Sequence, residues 1–228
     1  MDSSLLIRLQ GPMQSWGTRS RFEIRDTERE PSKSGVIGLI CAALGRDRTE
    51  AITDLSALKM GVRVDREGVL QYDYQTVEGA VSADGSSNRD PQTSKRYYLA
   101  DAAFVVALEG DTELLELVNN KLLDPRWAMA LGRKSYVPSA PVPMHNNLRT
   151  DLGMRDALVS PLSPLIAEPQ RWQRQIRLVL ESSEETHEAR NDTPVTFVHE
   201  KRKFLPRYVH TELIDIGCFS VLTDHSEE

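Results

Sequence analysis

The order strand, capped helix, strand at the start of this chain constrains its fold more than any other feature. "SSLLIRLQG" (3–11) alternates toward a short β-strand and stops at the turn signal Gly11-Pro12. In "PSKSGVIGLICAALGR" (31–46), Ser32 or Ser34 can cap a helix. Val36, Ile37, Leu39, Ile40, Ala43 and Leu44 fill the apolar side of that helix, and Gly45 suits its C-terminal end. "KMGVRVDREG" (59–68) then alternates as a second strand. A helix between two strands of one sheet has to cross over, so two apolar faces are buried against each other from the outset.

The elements that follow extend the pattern. "TEAITDLSAL" (49–58) sets Ile52, Leu55 and Leu58 on one face of a short helix, and Glu67-Gly68 turns the chain into "VLQYDYQTVEG" (69–79), another strand. "AVSADGSSNRDPQTSKR" (80–96) is polar and long for a loop, a candidate ligand-ordered element. "YYLADAAFVVALEG" (97–110) is the strongest strand, and Asp111 caps a helix carrying Leu114, Leu115, Val118 and Leu122 on one face. The first 122 residues thus read β-α-(α)-β-β-β-α, close to the split βαβ plan of ferredoxin-like and RNA-recognition folds. A fourth sheet strand should follow the Asp111 helix. Residues 123–170 hold seven prolines (125, 138, 141, 143, 161, 164 and 169) and read as irregular surface chain. "RQIRLVLES" (174–182) is a strand, and "TPVTFVHEKRKFLPRYVHTELIDIG" (193–217) two more joined by a basic turn.

A net charge of −6 argues against a simple nucleic-acid coat protein, but the charges segregate. Residues 125–155 carry Arg126, Arg133, Lys134, Arg149 and Arg155 against Asp151, and 201–207 carry Lys201, Arg202, Lys203 and Arg207 without an acid. Acids gather in 109–124, in 181–192 and in the tail. Basic loops beside acidic helices suit one face for a polyanion and others for solvent or protein. Of 28 basic residues 21 are arginine, whose planar fork suits phosphate, although an arginine-rich proteome explains that equally well. No apolar run approaches the roughly 20 residues of a membrane span, and the first residues lack a secretory signal, so the expected address is cytoplasmic with no membrane partner. Cys41 and Cys218 stand far apart, which suggests neither a disulfide scaffold nor a zinc cluster.

Known catalytic motifs do not occur. The lysine of "PSKSGVIG" precedes its glycines, the wrong order for a phosphate-binding loop of the G-x-x-x-x-G-K-[ST] type, and no G-x-G-x-x-G, H-E-x-x-H, C-x-x-C or G-x-S-x-G is present. What remains is a helix N-terminus with hydroxyls and a lysine, suited to an anion or simply capped. Metal-free RNA cleavage needs a base and an acid; His145, His199 or His210 with Tyr97, Tyr98 or Lys134 could supply them, but no spacing selects a pair. "GPMQSWGTRSRFEIR" (11–25) mixes Gln14, Trp16 and Phe22 with Arg19, Arg21 and Arg25, suited to phosphates and unpaired bases, or else to anchoring the loop on the core. "ALGRKSYVPSAP" (130–141) places Arg133, Lys134 and Ser135 after a glycine. The aromatic pattern of RNA-recognition sheets is absent from "YYLADAAFVVAL", which puts RNA binding on loops rather than on a sheet face.

Together "LLIRLQGPMQSWG", "PSKSGVIGLICAALGR", "YYLADAAFVVAL" and "LGRKSYVPSAPV" resemble, in order and spacing across roughly residues 4–145, the CasD family of type I-E CRISPR Cascade subunits in the RAMP superfamily. The resemblance is weak beyond residue 150. It implies an α+β, ferredoxin-like domain over 1–145 with an inserted β-hairpin thumb at about 69–98, and a variable, mostly β extension over 146–228. It also implies a non-catalytic subunit without a cofactor that holds the 5′ handle of CRISPR RNA, caps the CasC backbone filament beside the large CasA subunit, and meets target DNA through the assembled complex. The alternative is a metal-independent endoribonuclease for CRISPR repeat RNA, as in a related subtype. Gln14, Ser15, Trp16, Lys33, Ser34, Arg133, Lys134 and Ser135 lie in the shared motifs as expected RNA contacts, with Lys33 and Ser34 facing phosphate. Arg19 and Arg25 fall in the loop after the first strand, and Arg89, Lys95 and Arg96 where the thumb would be.

Overall fold

The computed structural model describes residues 3–18, 23–79, 81, 85, 91–160, 165–168, 173–217 and 219. In chain order these form β1 (Ser3–Gln10), β2 (Met13–Gln14), β3 (Ile24–Arg25), α1 (Lys33–Leu44), α2 (Thr53–Ala57), β4 (Lys59–Arg66), β5 (Val69–Val77) and β6 (Gln92–Ala100). There follow β7 (Ala103–Gly110), α3 (Thr112–Leu123), β8 (Pro143–Arg149), α4 (Met154–Val159), β9 (Gln175–Ser182), β10 (Glu188–Thr196) and β11 (Lys203–Asp215).

Among the described residues one sheet has seven strands in the order β10-β11-β9-β4-β7-β1-β8. Every neighbouring pair in it is antiparallel. Both faces of its central strands are covered, and the two charges buried on β4, Arg63 and Asp65, pair with each other at 2.7 Å. On β1, Leu5, Ile7 and Leu9 join the core under α1 and α3, while Leu6 points to the opposite face. There it meets Val105, Ala107, Leu178 and Leu180 beneath Ala157 and Leu158 of α4.

The helix ends follow local chemistry. The Ser32 hydroxyl accepts from the Gly35 amide at the start of α1, and Gly45 closes it in the left-handed region at φ 71°. Asp111 accepts from the Leu114 amide and caps α3. Each such cap contributes about 1 kcal/mol.

Three elements depart from the sequence reading. The run expected as one strand over 97–110 is two strands in different sheets. Asp101 breaks it at φ 56°, a conformation aspartate tolerates, and its amide donates to the Pro12 carbonyl. The continuous apolarity hid the break, because Leu99 and Ala103 are buried on either side of it. The segment expected as a loop over 80–96 already belongs to β6 from Gln92 onward. The proline-rich stretch read as irregular holds β8 and α4; β8 lies on the sheet edge, where Pro143 costs no ladder bond. The expected boundary near residue 145 falls inside β8, and β9 continues the same sheet by pairing with β4.

The second sheet, of four strands, builds a long hairpin from β5 and β6 and seats its base on β2 and β3. Val69 pairs with Ala100 and Val77 with Gln92, so the arm keeps register over the whole of β5.

Candidate nucleic-acid interface

The sequence motifs meet at the hairpin base as a single packing unit. Trp16 is 1% exposed and lies against the first turn of α1, where a Cβ on Gly35 would sit 2.7 Å from its ring. Only glycine leaves room for that indole. Gln14, fully buried, holds the ring by accepting from Trp16 Nε1 at 3.2 Å, and donates to the carbonyls of Leu9 (3.2 Å) and Ala102 (2.8 Å). Ser15 is also buried; its amide donates to the Leu131 carbonyl, and its hydroxyl to the carbonyls of Tyr97 (3.2 Å) and Asp26 (3.5 Å). Gly132, at φ 93°, presses on the Ser15 carbonyl so closely that a Cβ would lie 1.7 Å from the oxygen. "GPMQSWG", "PSKSG" and "LGRKS" are thus three sides of one joint.

Arg133 ties that joint to the hairpin. Its guanidinium donates to the carbonyls of Tyr97 (2.9 Å) and Arg25 (3.3 Å) and to the Tyr136 hydroxyl (2.8 Å), and it lies 5.4 Å from the Tyr136 ring centre. β3 pairs in parallel with β6, setting Ile24 beside Lys95 and Arg25 beside Arg96.

Around the joint, Arg25, Lys95, Lys134 and Ser135 are exposed and Arg96 is half-buried. The three exposed cations form no ion pair among the described residues, while Arg96 donates to the Ser94 hydroxyl at 3.2 Å. Directly opposed residues of an antiparallel pair share a face. The register Tyr72–Tyr97 and Tyr74–Lys95 therefore puts three tyrosines and a lysine on one side of the arm. The Tyr72 and Tyr97 rings are 5.8 Å apart, and the Lys95 ammonium is 5.7 Å from the Tyr72 ring centre. Tyr72 is 55% and Tyr74 57% exposed. The sequence reading put RNA binding on loops and did not single out this exposed aromatic face, whose signal was the alternation "YDYQ" in β5.

Lys33 requires a correction. It is 2% exposed, and its ammonium bonds both oxygens of Glu181 on β9 at 3.0 and 3.1 Å. Its amide, the first of α1, donates to Asp192 on β10 at 2.8 Å. Asp192 in turn accepts from Arg207 on β11 at 2.7 and 3.1 Å. The anion at this helix N-terminus is the protein's own carboxylate, so Lys33 faces no phosphate. Burial pulls the Lys33 ammonium below the usual lysine range, and Glu181 offsets only part of that. Glu30, also buried, bonds Arg177 at 2.8 Å and Arg190. Burial alone would raise the Glu30 carboxyl, but the two guanidinium groups together hold it below the ordinary glutamate range.

Gln14, Ser15 and Trp16 likewise build the joint from within instead of lining its surface, and Ser34 is half-buried in the first turn of α1. Arg19, Arg21, Phe22 and Arg89 lie outside the described residues. The histidines considered for acid–base work are dispersed. His145 is on β8, in a groove of about 530 Å³ against α3; His199 is in the β10–β11 turn; His210 is on β11, bonded to Glu212 at 3.1 Å. Among the described residues no hydrogen bond joins any of them to Tyr97, Tyr98 or Lys134. No three metal-ligating side chains converge among the described residues, and no helix there is long and apolar enough to cross a membrane.

Comparison with known proteins identifies relatives of the whole fold. The CRISPR system Cascade subunit CasD of Escherichia coli (strain K12) is 37% identical over 151 residues, which cover 59% of this chain and 67% of that protein. A solved structure described as a crystal structure of a Cas protein superposes with a TM-score of 0.76 at 42% identity, covering 94% of this chain and 96% of that one. A chain from a CRISPR RNA-guided surveillance complex superposes with a TM-score of 0.77 at 30% identity, over 93% of this chain and 90% of the other. The family model for CRISPR-associated protein (Cas_Cas5) matches residues 4–210, from β1 well into β11. This chain therefore belongs to the Cas5 family of CRISPR-associated proteins.

Proposed function

We propose that this chain is a non-catalytic, CRISPR RNA-binding subunit of a type I-E Cascade surveillance complex that holds the 5′ handle of the RNA at the base of its hairpin. The observation that carries this reading is the convergence of Arg25, Lys95 and Lys134, exposed and without ion pairs among the described residues, beside the tyrosine face of the arm. Cations neutralise backbone phosphates, and rings accept unpaired bases at about 1–3 kcal/mol each. Arg133, Ser15 and Gly132 fix the spacing, so the site is preorganised.

The sheet order β8-β1-β7-β4, with α1 and α3 as the crossovers, follows the split βαβ plan. We read the part through β8 as a ferredoxin-like RAMP domain and the β5–β6 arm as its thumb. The similarity to a Cascade subunit and to a chain of an RNA-guided complex supports membership of such an assembly. There the chain would cap the CasC backbone filament beside CasA and meet target DNA through the whole complex. A net charge of −6 suits that setting, because neighbouring proteins can cover acidic surfaces while the cationic base faces RNA. The dispersal of His145, His199 and His210 over separate elements supports the non-catalytic reading, in which repeat RNA stays intact on incubation without metal.

The test is the CRISPR RNA content of the assembled complex carrying Arg25→Ala, Lys95→Ala and Lys134→Ala together. Losing three phosphate contacts predicts at least about tenfold weaker RNA retention. An unchanged RNA content, or specific cleavage of repeat RNA by the wild-type chain, contradicts the proposal.

A further inference from the structure

The turn between β10 and β11 carries Lys201, Arg202 and Lys203, all exposed, and none has an ion pair or side-chain hydrogen bond among the described residues. Their neighbours behave differently. Arg155 pairs with Glu212 at 2.9 Å, Arg177 with Glu67 at 2.9 Å, Arg190 with Glu188 at 3.1 Å, and Arg207 with Asp192 at 2.7 Å. This part of the chain neutralises those four arginines internally and leaves three consecutive cations open at one point.

The turn is also held out and held still. β9 ends at Ser182, opposite Tyr208, whereas β10 and β11 go on pairing to Thr196 and Lys203. The overhang, Lys203 to Arg207, is roughly 17 Å of two-stranded ribbon. The Ser56 hydroxyl of α2 donates to the Pro194 carbonyl at 2.6 Å, and Phe197 packs against the main core, so both anchor the tip. By the sheet register, the tip lies at the Lys59 end of β4, and the hairpin base at the Arg66 end. The eight residues of β4 separate them by roughly 26 Å.

We infer that the β10–β11 turn is a second nucleic-acid contact, one that grips the phosphate backbone of a double helix through Lys201, Arg202 and Lys203. Its chemistry differs from that of the hairpin base. Phe197 is turned into the core and Phe204 is half-buried, so among the described residues the ring exposed beside the cations is the small imidazole of His199 and not a phenylalanine, tyrosine or tryptophan face. Cations alone read phosphates, not sequence. A duplex hides its bases and offers about one charge per 1.7 Å, which is what three closely spaced cations can use. This surface goes beyond the RNA site proposed above, since it lies at the opposite end of β4 from the hairpin base.

The test uses the full chain with two probes: a mixed-sequence DNA duplex of about 30 base pairs and a single-stranded RNA of similar length, titrated over a range of salt. Replacing Lys201, Arg202 and Lys203 by alanine should weaken duplex binding at least about tenfold and lower the log–log salt slope by about 3. Single-stranded RNA binding should stay within about twofold. The charge-keeping variant Lys201→Arg with Lys203→Arg should bind the duplex as wild type does. An unchanged duplex affinity, an equal loss for both probes, or no duplex binding by the wild-type chain overturns the inference.

Discussion

Lys33 and Lys134 each stand beside a serine and within two residues of a glycine, yet only Lys134 reaches solvent. At the start of α1 the positive charge meets Glu181, and the helix N-terminus meets Asp192, both brought in by the C-terminal strands. In the loop after Leu131 the glycine packs against Ser15, Arg133 bonds the carbonyls of Tyr97 and Arg25, and Lys134 has no ion pair among the described residues. The difference teaches that an anion site is decided by whether the rest of the chain supplies the anion. Motif chemistry is the same in both places; tertiary partners are not.

The sharpest way to break the comparison is to remove what joins its two halves. Trp16 touches the first turn of α1 and is held by Gln14 at the hairpin base, so Trp16→Ala opens a cavity between them. It should cost about 3–5 kcal/mol in chemical denaturation and lower RNA retention as well. A loss below about 1 kcal/mol would mean that the two regions are not one packing unit.

Lys33→Ala should rank next, at about 3 kcal/mol, because it strands Glu181 near its remaining partners, the Met60 amide and Arg207. Lys134→Ala, by contrast, should leave stability within about 0.5 kcal/mol while weakening RNA binding. Reversed effects, with Lys134 structural and Lys33 needed only for RNA, would invert the assignment.

A smaller effect separates the sealed network by pH. The Glu30 carboxyl is held below the ordinary value of 4.5, so the stability it contributes is fully present above that pH and is lost as pH falls through its folded value. Denaturation of wild type and Glu30→Gln should differ by about 1–2 kcal/mol at neutral pH and converge only once the pH has fallen through the carboxyl's lowered folded value. A gap independent of pH would show that the carboxylate's charge plays no part.

What the sequence made legible was local. The caps of α1 and α3, the apolar faces of the helices and most strands depend on residues a few positions apart, and these stand as expected. The fate of Lys33 depends on Glu181 and Asp192, 148 and 159 residues away, and no periodicity reports such a partner. The split at Asp101 stayed hidden because both halves of the run are apolar, although they serve different sheets. β8 stayed hidden because prolines that forbid a central strand are harmless at an edge. The tyrosine face was written plainly in β5 but needed the partner strand to show that Tyr72, Tyr74 and Lys95 share a side.

The most direct test compares the lysines by reactivity. Amine-directed labelling with mass spectrometry, done on the chain alone and on the RNA-loaded complex, reads Lys33, Lys95 and Lys134 in one experiment, with exposed Lys121 as the reference. Lys95 and Lys134 should label as readily as Lys121 in the isolated chain and be protected once RNA is bound, while Lys33 stays unreactive in both states. A Lys33 that labels freely and is protected by RNA, with Lys95 and Lys134 indifferent to it, would place the RNA site at α1 and contradict its assignment to the hairpin base.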